Sequence, residues 1–279
     1  LARCQAVLNQ GVPVVDILYL TEESATNFLH KEPDAPFGAE THPFPGYKFD
    51  GLSHALLDRL KVKNGCIVTP EGIRYHVIYT PGHDAYSLNT LRHLKRLTDA
   101  GGIVCGNAPE SVIGWGGDIQ TGHELIKEIW PENRTIHPDP LSWVETRGLE
   151  PAFRFSSPDS GAFFNFTQRR LGKDLVYFVF NQRDREMRGK LSFRIKGRIP
   201  EIWRPDTGER FRAVRYDEEN GRTIIPLTFD AYGSCFIVFR TPGKATAPRH
   251  ANADPADWPH ASGRPHNLAT IKTINPQWT

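Results

Sequence analysis

Gly197-Arg-Ile-Pro-Glu-Ile-Trp-Arg-Pro-Asp-Thr-Gly-Glu209, followed by Asn220-Gly-Arg-Thr-Ile-Ile-Pro-Leu-Thr-Phe-Asp-Ala-Tyr-Gly-Ser-Cys-Phe-Ile-Val-Phe239, decides how the second half of the chain folds. Short aromatic and β-branched runs alternate here with Thr207-Gly208 and Asn220-Gly221, dipeptides that supply the positive φ of tight hairpin turns. Just upstream, Gln168-Arg-Arg-Leu-Gly-Lys-Asp-Leu-Val-Tyr-Phe-Val-Phe-Asn181 adds a strand, a turn at Gly172-Lys173 and a second strand. Further strands are expected at Phe163 to Thr167, Leu191 to Ile195, Glu201 to Arg204, Phe211 to Tyr216, Thr223 to Leu227 and Ser234 to Arg240. The pattern predicts an antiparallel β-sandwich over residues 150–242.

Before Pro151 the texture differs. Val14 to Leu20 is a continuous apolar run of the kind buried on both faces of a sheet, and Tyr75 to Thr80 and Gly102 to Gly106 are two more. Between them, Leu52, Leu56, Leu57 and Leu60 fall at helical spacing, as do Leu88, Leu91, Leu94 and Leu97 after a capping Ser87. A short hairpin is punctuated by Asn64-Gly65 and Pro70-Glu-Gly72, and a further helix is expected from Thr121 to Trp130. Strands alternating with helices need crossover connections. The expected architecture is therefore α/β plus all-β: a flavodoxin-like doubly wound parallel sheet over residues 10–148, then the β-sandwich. Beyond Thr241, Pro, Ala, His and Asp dominate, and residues 243–279 read as a linker.

At 279 residues the chain has room for two such domains. Lys and Arg number 34 against 32 Asp and Glu, which leaves no basic footprint for a nucleic acid or an anionic membrane. The most basic stretch, Arg183 to Arg198, is interleaved with strand residues and reads as a solvated sheet face. No apolar run reaches membrane-spanning length. Leu1-Ala-Arg-Cys-Gln-Ala-Val-Leu8 has neither an initiator Met nor a signal-peptide pattern and reads as the interior of a longer chain. Cys4, Cys66, Cys105 and Cys235 lie far apart, so they suggest no zinc site or disulfide framework. No His cluster suggests a transition-metal site either.

Candidate site residues gather where α/β sheets place ligands, beyond the carboxyl ends of strands. Glu22 and Glu23 follow the first strand, and His83 and Asp84 follow the second. The long aromatic loop Gly38 to Asp50 offers Tyr47, which could stack on a sugar, and Asp50, which could bind a sugar or cap the following helix. In the same loop Glu40 and His42 read as solvated residues. Cys105 after a buried strand suggests a Cys-dependent, amidotransferase-like nucleophile, but His123-Glu124 lacks the His-x-Glu spacing of a supporting base, and a buried structural thiol competes. Gly114-Trp-Gly-Gly117 only weakly echoes a phosphate loop, because eight residues separate it from the strand ending at Gly106, and it reads as a flexible loop.

Several segments in serial order resemble glycoside hydrolase family 106, the α-L-rhamnosidases. They are Leu1 to Tyr19, Gly46-Tyr-Lys-Phe-Asp50, Tyr75-His-Val-Ile-Tyr-Thr-Pro81, Ala100-Gly-Gly-Ile-Val-Cys-Gly106, the β-domain signatures, and Ile274-Asn-Pro-Gln-Trp-Thr279. Phe166-Thr-Gln-Arg169 stands where the family's strand usually reads Trp-Ile-His-Arg. The resemblance implies that residues 1–9 end a helix of a preceding catalytic barrel and that the tail opens a further β-domain. It also implies an exported bacterial enzyme acting by inversion on a rhamnose-containing glycan, with calcium, and with its catalytic carboxylates mainly in that upstream barrel. A non-catalytic carbohydrate-binding or interaction module is the alternative, and a Cys-dependent enzyme a third.

Overall fold

The computed structural model describes residues 2–21, 23, 44–80, 85–131, 148–213, 215–242 and 258–261. The fold is mostly β, with several sheets and few helices. Two compact units emerge, one of residues 14–150 and the other built from the chain on either side of it.

The chain opens with α1 (Ala2–Leu8) and β1 (Val12–Pro13). Both belong to the second unit, because Val12 and Pro13 pair with a strand at Arg169–Arg170. The reading that put residues 10–13 at the start of the α/β region is corrected by this pairing.

Within residues 14–150 the elements are β2 (Ile17–Leu20), β3 (Phe49–Leu52), a 3-10 turn (His54–Arg59), β4 (Lys61–Lys63), β5 (Cys66–Val68), β6 (Arg74–Tyr75), β7 (Val77–Thr80), β8 (Ala85–Ser87), α2 (Leu88–Asp99), β9 (Val104–Gly106), β10 (Ser111–Ile113) and α3 (Gly117–Ile129). The order β3-β2-β7-β9 forms a sheet in which every pair is parallel. Successive strand residues point to opposite faces. Leu18 and Leu20 accordingly join Ile78, Leu91, Leu94 and Leu97 in one core, while Ile17 and Tyr19 join Phe44, Tyr47, Val77 and Cys105 in another. Burial on both faces is why β2 reads as an unbroken apolar run. Ser87 caps α2 by accepting the Thr90 N–H, as its sequence context predicts. The leucines at helical spacing after Leu52 instead form a strand end and a short 3-10 turn. β8 and β10 make a separate parallel pair, and β4-β5-β6 a small antiparallel sheet.

The second unit continues with β11 (Phe153–Ser156), β12 (Phe164–Leu171), β13 (Asp174–Asn181), β14 (Met187–Phe193), β15 (Arg198–Trp203), β16 (Arg210–Arg212), β17 (Asp217–Glu219), β18 (Arg222–Phe229) and β19 (Ser234–Pro242). Two antiparallel sheets result, ordered β1-β12-β13-β19-β15-β16 and β11-β14-β18-β17. They share one core: Phe164, Phe166, Tyr177, Val179, Ile237 and Phe239 from the first meet Phe153, Leu191, Phe193, Ile225, Leu227 and Phe229 from the second. On the other face of the six-stranded sheet, Val7 of α1 packs with Val176, Trp203, Phe236 and Val238. Arg3 secures that helix by donating to the carbonyls of Pro205 and Asp206. Asn220 and Gly221 both have positive φ, the two-residue turn anticipated between β17 and β18. Beyond the short β17, the edge of β18 is covered at Thr228 by the segment Trp258–Ala261.

Candidate functional site

At the carboxyl ends of β2 and β8 a polar cluster forms from residues distant in sequence. The Glu23 carboxylate accepts the Ser87 hydroxyl at 2.6 Å through Oε1 and the Ser87 backbone N–H at 2.7 Å through Oε2. His54, buried at the start of the 3-10 turn, lies with Nδ1 3.0 Å from Thr90 Oγ1 and 3.4 Å from Glu23 Oε2. Its Nε2 meets the Thr21 carbonyl, and because a carbonyl only accepts, Nε2 carries the proton. The Tyr86 ring packs against the imidazole steeply tilted, with ring centroids 5.0 Å apart.

Chemically this Ser-Glu-His order differs from a nucleophile triad, in which imidazole stands between hydroxyl and carboxylate. Here the serine proton is given to the carboxylate, and the serine oxygen accepts from Thr90 N. The cluster therefore ties the chain after β2 to the first turn of α2, where a carboxylate also complements the helix dipole. Glu23 keeps 21% of its side chain exposed, so the network reaches solvent through that group.

Next to it, Thr80 and Gly106 bind β7 to β9. The Thr80 hydroxyl lies 3.0 Å from the Cys105 carbonyl and 2.8 Å from that of Asn107. Gly106 has φ +92°, and a Cβ there would sit 2.1 Å from Thr80 O, so only glycine allows this close approach.

The structure relocates several expected site residues. Tyr47 is fully buried and donates its hydroxyl to Leu149 O, so its ring has no free face for a sugar. Asp50 lies within β3, where it accepts the Tyr75 hydroxyl at 2.8 Å, and Ser53 rather than Asp50 precedes the following 3-10 turn. Burial, and secondly that bond, push the Tyr75 phenol up. Cys105 is buried, and its thiol is pushed up to about 12, which leaves it protonated and unsuited to attack at neutral pH. Glu22, His83, Asp84, His42 and Glu40 lie outside the described residues, as does the chain from 262 onward.

Other groups had no sequence signal strong enough to single them out. His54 meets Glu23 and Thr90 only through the fold. Lys48 is another, because burial pushes its ammonium down to about 8. Gly114-Trp-Gly116 is the connection between β10 and α3, so a short strand directly precedes it, which the sequence did not indicate. β10 runs parallel to β8, with Ile113 in register with Ser87, so Trp115 projects from the same end of that pair as the Glu23 cluster. Trp115 is 92% exposed.

On the β-rich unit, Glu186, Asp230 and His260 gather with potential ligand atoms within 4.8 Å of one another. His260 Nε2 faces Glu186 at 3.5 Å and Nδ1 faces Asp230 at 3.7 Å. The two carboxylates thus face different ring nitrogens, so one imidazole cannot bring both to a shared ion through a single ligand atom.

Comparison with known proteins places these features in context. The glycoside hydrolase family 106 model, described as alpha-L-rhamnosidase, matches residues 1–218. A solved rhamnosidase from Novosphingobium sp. PP1Y is 29% identical with a TM-score of 0.75, over 87% of this chain and 24% of that one. A Formosa agariphila protein provisionally named a beta-glucuronidase is 28% identical over 257 residues, 88% of this chain and 21% of its own length. The chain thus spans about a quarter of the length of these relatives.

Proposed function

Because the chain belongs to glycoside hydrolase family 106, the alpha-L-rhamnosidases, we propose that it is a non-catalytic portion of a larger rhamnose-releasing glycosidase, supplying scaffold and one wall of the substrate cleft. The similarity to a rhamnosidase along 87% of the chain carries this reading. Glycoside hydrolysis ordinarily needs two carboxyl groups flanking the scissile bond. Among the candidate carboxylates within the described residues, Glu23 is engaged by Ser87, and Asp50 by Tyr75. The acid and base are accordingly assigned to a barrel elsewhere in the parent protein.

The same reading extends to architecture. The parallel order β3-β2-β7-β9 matches the opening of a flavodoxin-like, doubly wound sheet. The two antiparallel sheets around one core support an accessory β-sandwich. Calcium, which the resemblance implies, takes oxygen ligands. The Glu186, Asp230 and His260 group offers an imidazole and does not fit that ion.

Aryl α-L-rhamnoside and aryl β-D-glucuronide, offered to the longer protein in parallel, test the substrate assignment. Preferential release from the rhamnoside is expected. Preferential release from the glucuronide would move the assignment toward the activity named for the Formosa relative.

A further inference from the structure

We propose that Cys66 is a thiol–disulfide exchange site for small disulfides that carry carboxylates, with His76 taking the thiol proton and Lys63 beside the sulfur. The site lies on the outer face of the β4-β5-β6 sheet and is independent of the glycosidase reading above.

Strand register brings these groups together. Lys63 of β4 is paired with Cys66 of β5, and Ile67 of β5 with Tyr75 of β6, so one further step sets His76 opposite Cys66. Directly opposite residues project from the same face, with Cβ atoms about 4.5–5.5 Å apart. Ile67 and Tyr75, one position along, are buried on the inner face. Cys66 is partly exposed, Lys63 is exposed and the His76 side chain is 48% exposed. Lys61 and Arg74 flank Val68 two residues along the same outer face. Lys61, Lys63 and Arg74 thus share one face with an accessible thiol.

The order of the groups supplies the chemistry. Cys66 Sγ lies 4.0 Å from His76 Nδ1, and Nε2 of the same ring lies 3.8 Å from the carboxylate of Asp16. The Asp16 side chain is buried, and the His76 backbone N–H donates to the Asp16 carbonyl at 2.8 Å, which holds the two residues side by side. Imidazole stands here between nucleophile and carboxylate, the order that the Glu23 cluster lacks. Both separations are longer than tight hydrogen bonds, as such contacts often are before a reactant binds.

In the exchange, His76 takes the proton from Cys66 and the thiolate attacks one sulfur of the disulfide. A new S–S bond forms as the old one breaks, and the departing sulfur leaves with the electron pair as a thiolate, which regains a proton from the imidazolium or from water. The small disulfide is the oxidant. Electropositive, partly exposed surroundings favour the attacking thiolate. The cations of this face attract a disulfide that carries carboxylates and repel a cationic one. Cys4, the other partly exposed thiol outside this sheet, packs against the apolar cluster of Val7, Trp203 and Phe236 and serves as an internal comparison.

The test follows reaction of the 279-residue chain, as Cys4→Ser and as Cys66→Ser, with dithiobis(nitrobenzoic acid), a dicarboxylate, and with cystamine, a dication. At neutral pH the dicarboxylate should modify Cys66 at least about tenfold faster than Cys4. In the Cys4→Ser chain, His76→Gln should slow that reaction at least about fivefold and remove the limb of its rate–pH curve that titrates with the imidazole. Lys63→Gln should slow the dicarboxylate more than cystamine, most visibly at low salt. Both replaced side chains are on the surface, so the core is spared. A Cys66 no faster than Cys4, an unchanged rate–pH curve in His76→Gln, or equal losses with the two reagents in Lys63→Gln would each overturn the proposal.

Discussion

Glu23 grips Ser87 twice, accepting its hydroxyl at one carboxylate oxygen and its backbone N–H at the other. One side chain thus satisfies two donors at the start of α2 while facing His54. Charge-assisted hydrogen bonds of this type contribute roughly 1.5–3 kcal/mol. Glu23→Gln retains the shape but presents an amide N–H₂ to one of those donors. Its expected loss is about 1–3 kcal/mol in urea unfolding monitored on the residue 14–150 unit. Unchanged stability would mean that the carboxylate is held by something other than these bonds.

Gly106 and Gly221 both have positive φ, but their surroundings differ. At Gly221 an added Cβ meets open space, whereas at Gly106 it would collide with Thr80 O. Gly221→Ala should therefore cost only the left-handed backbone penalty, about 1–2 kcal/mol. Gly106→Ala should cost about 3 kcal/mol or more, since β7 and β9 must separate. Comparable denaturation midpoints for the two variants would contradict the close strand approach.

These two sites also mark what could be read in advance. The apolar runs that became β2, β7 and β9, and the hairpins of the second unit, were legible because burial on one or both faces leaves a periodic trace. Asn220-Gly221 was legible because its chemistry fixes a turn. By contrast, β3 was hidden: Phe49-Asp-Gly-Leu52 has weak strand propensity and pairs only because β2 lies beside it. β8 and β10 are three residues each and stabilise one another across a long sequence gap. In the Glu23, His54, Ser87 and Thr90 cluster only the Ser87–Thr90 cap has a local spacing, and the other two members come from separate segments.

Lys48 gives a pH test. Its pKa is lowered by burial to about 8, against an unfolded value of roughly 10.4. Between those values the unfolded state holds a proton that the folded state has released, so stability should rise as pH climbs from about 8 to 10.4. Below about 8 the desolvation cost is present in full. Lys48→Met should thus be more stable than the parent sequence near pH 7, by an amount on the order of 1–3 kcal/mol, with the gap closing toward pH 10. A gap that is constant with pH would show that the ammonium is not desolvated.

Thiol reactivity separates structural cysteines from accessible ones. Cys105 and Cys235 are buried and Cys4 and Cys66 partly exposed. Burial pushes both buried thiols up, Cys105 to about 12. In the native chain a disulfide reagent should label Cys4 and Cys66 and spare the other pair until denaturant is added. Rapid, selective labelling of Cys105 would reopen the nucleophile reading.

We propose that this chain serves a rhamnosidase without housing its complete catalytic machinery. The decisive assay offers aryl α-L-rhamnoside to the 279-residue chain beside the longer protein. Turnover by the longer protein and none by the isolated chain is the predicted result, because acid and base must converge on one bond. Turnover by the isolated chain, abolished in Glu22→Ala, Glu23→Ala or Asp50→Ala, would contradict it and place the reaction among these residues.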